Sequence, residues 1–192
     1  MSNDMATFFD NLATDWENAP DEYVIRENLV SMMGLPPNSN IADVGCGKGV
    51  MLEHLLKTNP YKITAVDISG EMIRLAKEAY ADKYVEFIHG NFFDIELPSQ
   101  DAIIFFNSYP HFIDKDKLAK KVAQATKKGS AFIIAHSFGK AEINCFHTGK
   151  RVSTLSGPLE DAETEANKFL KYFRLDSFVD NEEKYFIKMI RR

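Results

Sequence analysis

The stretch Asn40-Ile-Ala-Asp-Val-Gly-Cys-Gly-Lys-Gly49 limits what this chain can fold into more than any other. A short apolar run carries an acid, Asp43, and passes into a loop with glycine at 45, 47 and 49. An apolar run before a glycine-rich turn and a helix reads as a strand feeding a nucleotide site. Glycine lets such a loop turn sharply and lets a ligand approach bare backbone. The helix that follows turns its free N–H groups toward that ligand. Two phosphate motifs do not fit. The dinucleotide fingerprint wants glycine at its first, third and sixth positions, and the sixth here is Val50. A P-loop ends in Gly-Lys-Ser/Thr, but Lys48 is followed by Gly49.

Strand and helix patterns alternate through 40–136. After the loop, Val50, Leu52, Leu55 and Leu56 share a helical face that Asn59-Pro60 ends. Residues 62–67 read as a strand closing on Asp67, and Ser69 caps the next helix. Further strands are predicted at 84–89, 101–106 and 130–135. The helix between the last two starts at Asp114, with Lys127 and Lys128 in its last turn and Gly129 closing it. This alternation means βαβ units and a parallel sheet with helices on both faces. Upstream, residues 4–18 and about 21–33 read as amphipathic helices. Downstream, 137–160 is irregular or short-helical, 161–170 helical, and 173–179 with 184–190 a hairpin-like pair of strands.

The chain has 192 residues, enough for one domain. Net charge is −5 with no basic block, which disfavours a large nucleic-acid partner. Cys46 and Cys145 form no CxxC pair, so neither a disulfide framework nor a cysteine zinc site is expected. Residues 1–20 lack a signal-peptide core, no run is long enough to span a membrane, and the expectation is a cytoplasmic protein.

Asp43-Val-Gly-Cys-Gly-Lys-Gly49 resembles motif I of the class I S-adenosylmethionine-dependent methyltransferases. Phe8-Phe-Asp-x-x-Ala-x-x-Trp16 is similar to the opening helix of many small-molecule members. The resemblance implies a doubly wound, mostly parallel seven-stranded sheet with an antiparallel last strand. It implies one domain over 1–192, with a helical lid at 1–36, a cofactor-binding core at 38–136 and a substrate-side segment with closing strands at 137–192. The cofactor is then S-adenosylmethionine. Asp67 fits its ribose hydroxyls on residue grounds too, because an acid ending the second strand does so in dinucleotide folds. By resemblance, Asp43 faces the methionine ammonium, Asn91 and Phe92 meet the adenine, and Asn107 supplies acceptors. Gly45, Cys46, Gly47, Gly49 and Ile68 complete the set.

An activated methyl group needs chiefly alignment and a dry pocket. A base is needed only if the nucleophile arrives protonated. Asn107-Ser-Tyr-Pro-His-Phe112 follows the fourth strand, and such sheets bind ligands beyond the carboxyl ends of their strands. Tyr109 is a candidate for positioning the acceptor, and His111 for taking a proton, with an ordinary pKa of about 6.5. His136 ends the fifth strand and is a further candidate, lining the acceptor pocket with His111; Asn144 and His147 follow nearby, so that three imidazoles could converge at the carboxyl edge of the sheet. The histidine spacing matches no metal motif, so no metal is expected. Trp16 and Tyr23 are candidate lid residues. The acceptor expected is a small molecule. Two other readings compete: a domain that binds S-adenosylmethionine without catalysis, and an NAD-linked oxidoreductase.

Overall fold

The computed structural model describes residues 3–14, 22–147 and 154–192. Helices α1 (Asn3–Leu12) and α2 (Glu22–Met33) come first. They are followed by β1 (Asn40–Val44), α3 (Leu52–Leu56), β2 (Lys62–Asp67), α4 (Gly70–Ala79), β3 (Val85–His89) and β4 (Gln100–Phe106). A 3-10 turn (Tyr109–His111) leads to α5 (Lys115–Gln124), β5 (Thr126–His136), α6 (Lys140–Phe146), α7 (Ala162–Asn167), β6 (Phe173–Asp180) and β7 (Tyr185–Arg191). The strands form one sheet in the order β3-β2-β1-β4-β5-β7-β6. The first five are parallel. β7 runs antiparallel to β5, and β6 antiparallel to β7. The expected doubly wound, mostly parallel sheet with a reversed last strand is therefore what forms.

Period-two alternation divides the core. Ile103 and Phe105 of β4 join one apolar cluster with Val122, Phe132 and Phe169. Ala102, Ile104 and Phe106 join the other, with Leu29, Ile41, Leu52 and Ile133. A strand stretch buried on both faces must be apolar, and β4 is from Ala102 to Phe106. Chain order reverses between β1 and β4, and crevices open at such points, beyond the carboxyl ends of the strands.

Caps fall where the sequence puts them. Ser69 Oγ accepts from Met72 N at 3.0 Å, and an Asp114 carboxylate oxygen accepts from Lys117 N at 2.9 Å. One boundary differs. The helix expected to run to Gly129 ends at Gln124, and Lys127, Lys128 and Gly129 belong to β5. The register slips between Gln100 and Ala102, so an irregularity absorbs extra residues there. Gly129, at φ +88, supplies the left-handed turn, and Ser130 Oγ donates to the Gln100 carbonyl at 2.9 Å.

Ser69 does more than cap α4. Its hydroxyl donates to Asp10 of α1 at 2.6 Å, and Asp10 also accepts from Glu71 N at 3.1 Å. One side chain thus starts α4 and ties α1 across it. Replacing Ser69 with Ala is expected to lower the unfolding free energy by about 1–2 kcal/mol, as loss of an N-cap does. Urea unfolding measures it, and an unchanged midpoint would show the latch to be energetically idle.

Candidate active site

The loop after β1 is pinned on both sides. Gly45, at φ +74, lies so close to the next strand that a Cβ there would sit 2.4 Å from Ser108 Cβ. Ser108 Oγ in turn donates to the Val44 carbonyl at 2.7 Å. Gly47 N–H donates to Asp67 at 2.8 Å, and Ser69 N–H donates to the same carboxylate at 2.9 Å. Gly49, at φ +84, backs onto Leu52 and Tyr80. Gly45 and Gly49 therefore serve close packing. At Gly47 a Cβ would meet nothing nearer than the Met72 sulfur, at 3.9 Å.

A cavity of about 510 Å³ opens above this loop. Asp43, Gly45, Cys46, Gly47, Asp67, Ile68, Phe92, Asn107, His111 and His136 all line it. Phe8, Phe9 and Leu12 of α1 roof part of it. Asp43 is the anomaly. It is 1% exposed, and neither carboxylate oxygen has a hydrogen-bond partner among the described residues. Burial, then the neighbouring Asp67, pushes its carboxyl up to about 7. Burial raises Asp67 as well, against the pull of its backbone N–H donors. Unpaired buried acids are costly unless a cation or donor meets them.

Three expected residues face elsewhere. Asn91 closes a turn on itself: its amide donates to Asp94 at 2.9 Å and its carbonyl accepts from Phe93 N at 3.2 Å. Gly49 packs behind the loop. Tyr109 is buried away from the cavity, its hydroxyl donating to Glu165 at 2.5 Å. Burial, then the Glu165 charge, raises its pKa strongly. Tyr23 also lies outside the cavity lining, its ring stacked 4.5 Å from His54. Trp16 lies outside the described residues.

The three imidazoles do converge. His111, His136 and His147 line the same cavity, and the His111 and His147 rings are 5.2 Å apart. Among the described residues, no group of three or more His, Cys, Asp or Glu could hold a metal. Burial pulls His111 down to about 4 and His136 to about 3, so both rings are neutral at pH 7.

Two lining residues escaped the sequence reading. Arg26 of α2 is 7% exposed, and its Nε has no partner among the described residues. Glu22 accepts from Arg26 at 3.3 Å and from Ser137 at 3.0 Å, and Ser137 is bonded in turn to Asn107. The signal was present: Arg26, Leu29, Val30 and Met33 are the buried stripe of α2, and an arginine within such a stripe marks a polar site.

Comparison with known proteins agrees with this geometry. Residues 41–129 match the family model described as a methyltransferase domain. A chain in the complex between the Haloferax volcanii Trm112 methyltransferase activator and a methyltransferase superposes with TM-score 0.80. It is 16% identical, over 95% of this chain and 97% of that one. The fold is that of the class I methyltransferases. The N-methyltransferase NodS of Bradyrhizobium japonicum, solved with S-adenosyl-L-homocysteine, superposes with TM-score 0.76 at 11% identity, over 98% of this chain and 99% of that one. An uncharacterised methyltransferase of Bacillus subtilis, YdaC, is 26% identical over 114 residues, 58% of this chain and 63% of its own length. The ribosomal RNA small subunit methyltransferase A of Cytophaga hutchinsonii is 34% identical over 84 residues, 42% of this chain and 32% of its own. The chain thus spans less than two thirds of either curated relative. Among the described residues, no helix is long and apolar enough to cross a membrane.

The glycines of the loop after β1 are separable by experiment. Gly45→Ala adds a clash with the Ser108 side chain to left-handed strain, and is expected to destabilise by about 3 kcal/mol or more. Gly47→Ala adds only the strain, about 1–2 kcal/mol. Thermal and urea unfolding of the pair checks the order, and equal losses would contradict it.

Proposed function

We propose that this chain is an S-adenosylmethionine-dependent methyltransferase acting on a small molecule. The observation carrying the proposal is Asp43, an unpartnered carboxylate buried in the wall of a glycine-floored cavity. A cation bound there satisfies it. A pyrophosphate would meet it with like charge, which counts against NAD.

The residues fit the cofactor. Asp67, already held by two backbone donors, keeps lone pairs for ribose hydroxyls. Phe92 gives the adenine an apolar wall. Asp43 faces the methionyl ammonium, and the Arg26 guanidinium meets the carboxylate. Cys46, Ile68 and the Gly45–Gly47 backbone complete the bed, and Asn107 orients the polar chain through Ser137 to Glu22. Gly49, Asn91 and Tyr109 shape the site from outside it. When bound, S-adenosylmethionine supplies a methyl group already activated on a sulfonium. The chain's own part is to hold the acceptor in line and keep water out. α1 acts as a lid through Phe8, Phe9 and Leu12, latched by Asp10 on Ser69. His111 and His136 line the acceptor side. The roofed, ring-lined cavity and the absence of a basic block in the sequence support a small acceptor over RNA.

Calorimetric titration with S-adenosylmethionine and NAD is expected to show binding of the first only. The pH dependence has a defined sign. A bound cation favours ionised Asp43, so it lowers a carboxyl pKa that stands at about 7 in the free protein. Binding releases a proton below that pH. Affinity therefore rises with pH toward about 7 and then levels, with a slope of up to about tenfold per unit. Asp43→Asn is expected to flatten that slope and weaken binding. NAD binding in place of S-adenosylmethionine, or methylation of RNA in preference to any small acceptor, would overturn the proposal.

A further inference from the structure

The acceptor half of the cavity has a character of its own. Its walls come from Phe9 of α1, from His111 and Phe112, and from Phe138, Phe146 and His147 around α6. None carries a formal charge at neutral pH by residue type apart from the imidazoles, and burial keeps His111 neutral. The rings meet edge to face: Phe9 and His111 at 5.1 Å, Phe138 and Phe146 at 5.4 Å. Flat aromatic ligands find partners in such a wall. A charged ligand would lose its water there and gain no counter-charge.

The tautomers are also fixed. His111 Nδ1 lies 3.1 Å from the Leu155 carbonyl oxygen, and His147 Nδ1 lies 2.7 Å from the Ile143 carbonyl oxygen. A carbonyl oxygen only accepts. Both Nδ1 atoms must therefore carry a proton, and in the neutral His111 ring that leaves the lone pair on Nε2. Leu155 belongs to the segment after the described gap, and Gly157 N–H donates to the Pro110 carbonyl at 2.9 Å. Two contacts thus hold His111 in one orientation. A proton acceptor oriented by a backbone carbonyl has a use only if something arrives with a proton to lose.

Resting on the methyltransferase reading, we propose that the acceptor is an uncharged aromatic molecule bearing a protonated hydroxyl or thiol, and that Nε2 of His111 takes its proton. The acceptor's oxygen or sulfur forms a bond to the methyl carbon. The carbon–sulfonium bond breaks, with its electron pair going to sulfur, and the proton goes to Nε2. A desolvated imidazole is a weak base by itself. Here the cavity's charge is conserved: one positive charge lies on the sulfonium before transfer and one on the imidazolium after it. Asp43 offsets both.

The test uses the full chain, with 2-naphthol, benzyl mercaptan and a series of phenols of rising acidity as neutral probes. Benzoate and phenethylamine serve as charged ones. Binding to protein saturated with S-adenosylhomocysteine, whose ammonium occupies the Asp43 end, is read by calorimetry, and S-adenosylhomocysteine formation from S-adenosylmethionine by chromatography. The neutral probes are expected to bind and turn over, and the charged ones to do neither. His111→Gln and His111→Asn are each expected to keep S-adenosylmethionine affinity while kcat falls by about 10²-fold. The loss should shrink as the phenols become more acidic, which a purely structural role would not produce. Equal or better turnover of the charged probes, or full activity of both variants, overturns the proposal. Protein that binds S-adenosylmethionine but methylates no neutral probe overturns it alone, whereas protein that fails to bind S-adenosylmethionine overturns the methyltransferase reading first.

Discussion

A left-handed glycine turn pressed between two neighbouring strands governs this structure. Gly45 touches the chain leaving β4, and Gly47 gives its N–H to the acid that ends β2. The loop of β1 is thereby tied to both strands that flank it. The cavity floor is made of backbone, and backbone held at three points does not adjust to a ligand. Side chains from α1, α2, the turn after β4 and α6 then close over that floor. Cofactor recognition depends on the rigid part, and acceptor recognition on what closes over it.

Much of this was legible in the residues. The alternation from 40 to 136, the caps at Ser69 and Asp114, and the closing hairpin-like pair of strands follow from local pattern, and local pattern is what periodicity reports; the reversal of the last strand came with the family resemblance. The departures share a cause. Asn91 sits at the expected turn, but its short amide satisfies the backbone nearby instead of facing the cavity. Tyr109 lies in the expected loop, yet its fate is decided by Glu165, 56 residues further on. Lys127 to Gly129 read as a helix end because Lys and Gly favour one. The register slip against Gln100 overrides that preference. Arg26 escaped notice because helical periodicity was read from its apolar members alone. Long-range partners and polar residues inside apolar stripes are the features a one-dimensional pattern conveys least.

The cavity's two ends differ in a way that bears on chemistry. At one end Asp43 and Asp67 are buried together, and burial raises both. At the other, burial lowers His111 and His136. Desolvation has opposite effects on acid and base because it always disfavours the charged form. Without a ligand, both ends are therefore pressed toward neutrality. A cation seated beside the acids reverses that pressure at one end only. It lets Asp43 ionise without a solvent shell, while the imidazoles stay uncharged.

That asymmetry explains why so small a domain manages with few polar groups. A positive charge beside Asp43 also repels a second one, so the histidine end stays neutral for as long as the cofactor remains cationic. On the proposed mode of binding, transfer discharges the sulfonium but not the ammonium that Asp43 faces, so the acid keeps its partner throughout. The repulsion that held the far wall neutral then falls, and a proton can pass onto a ring there. Tyr109 has no share in this, since its hydroxyl is committed to Glu165 and its pKa is driven upward. In this arrangement the acidic floor sets the direction of charge movement, and the ring-lined wall decides which molecules can take part in it.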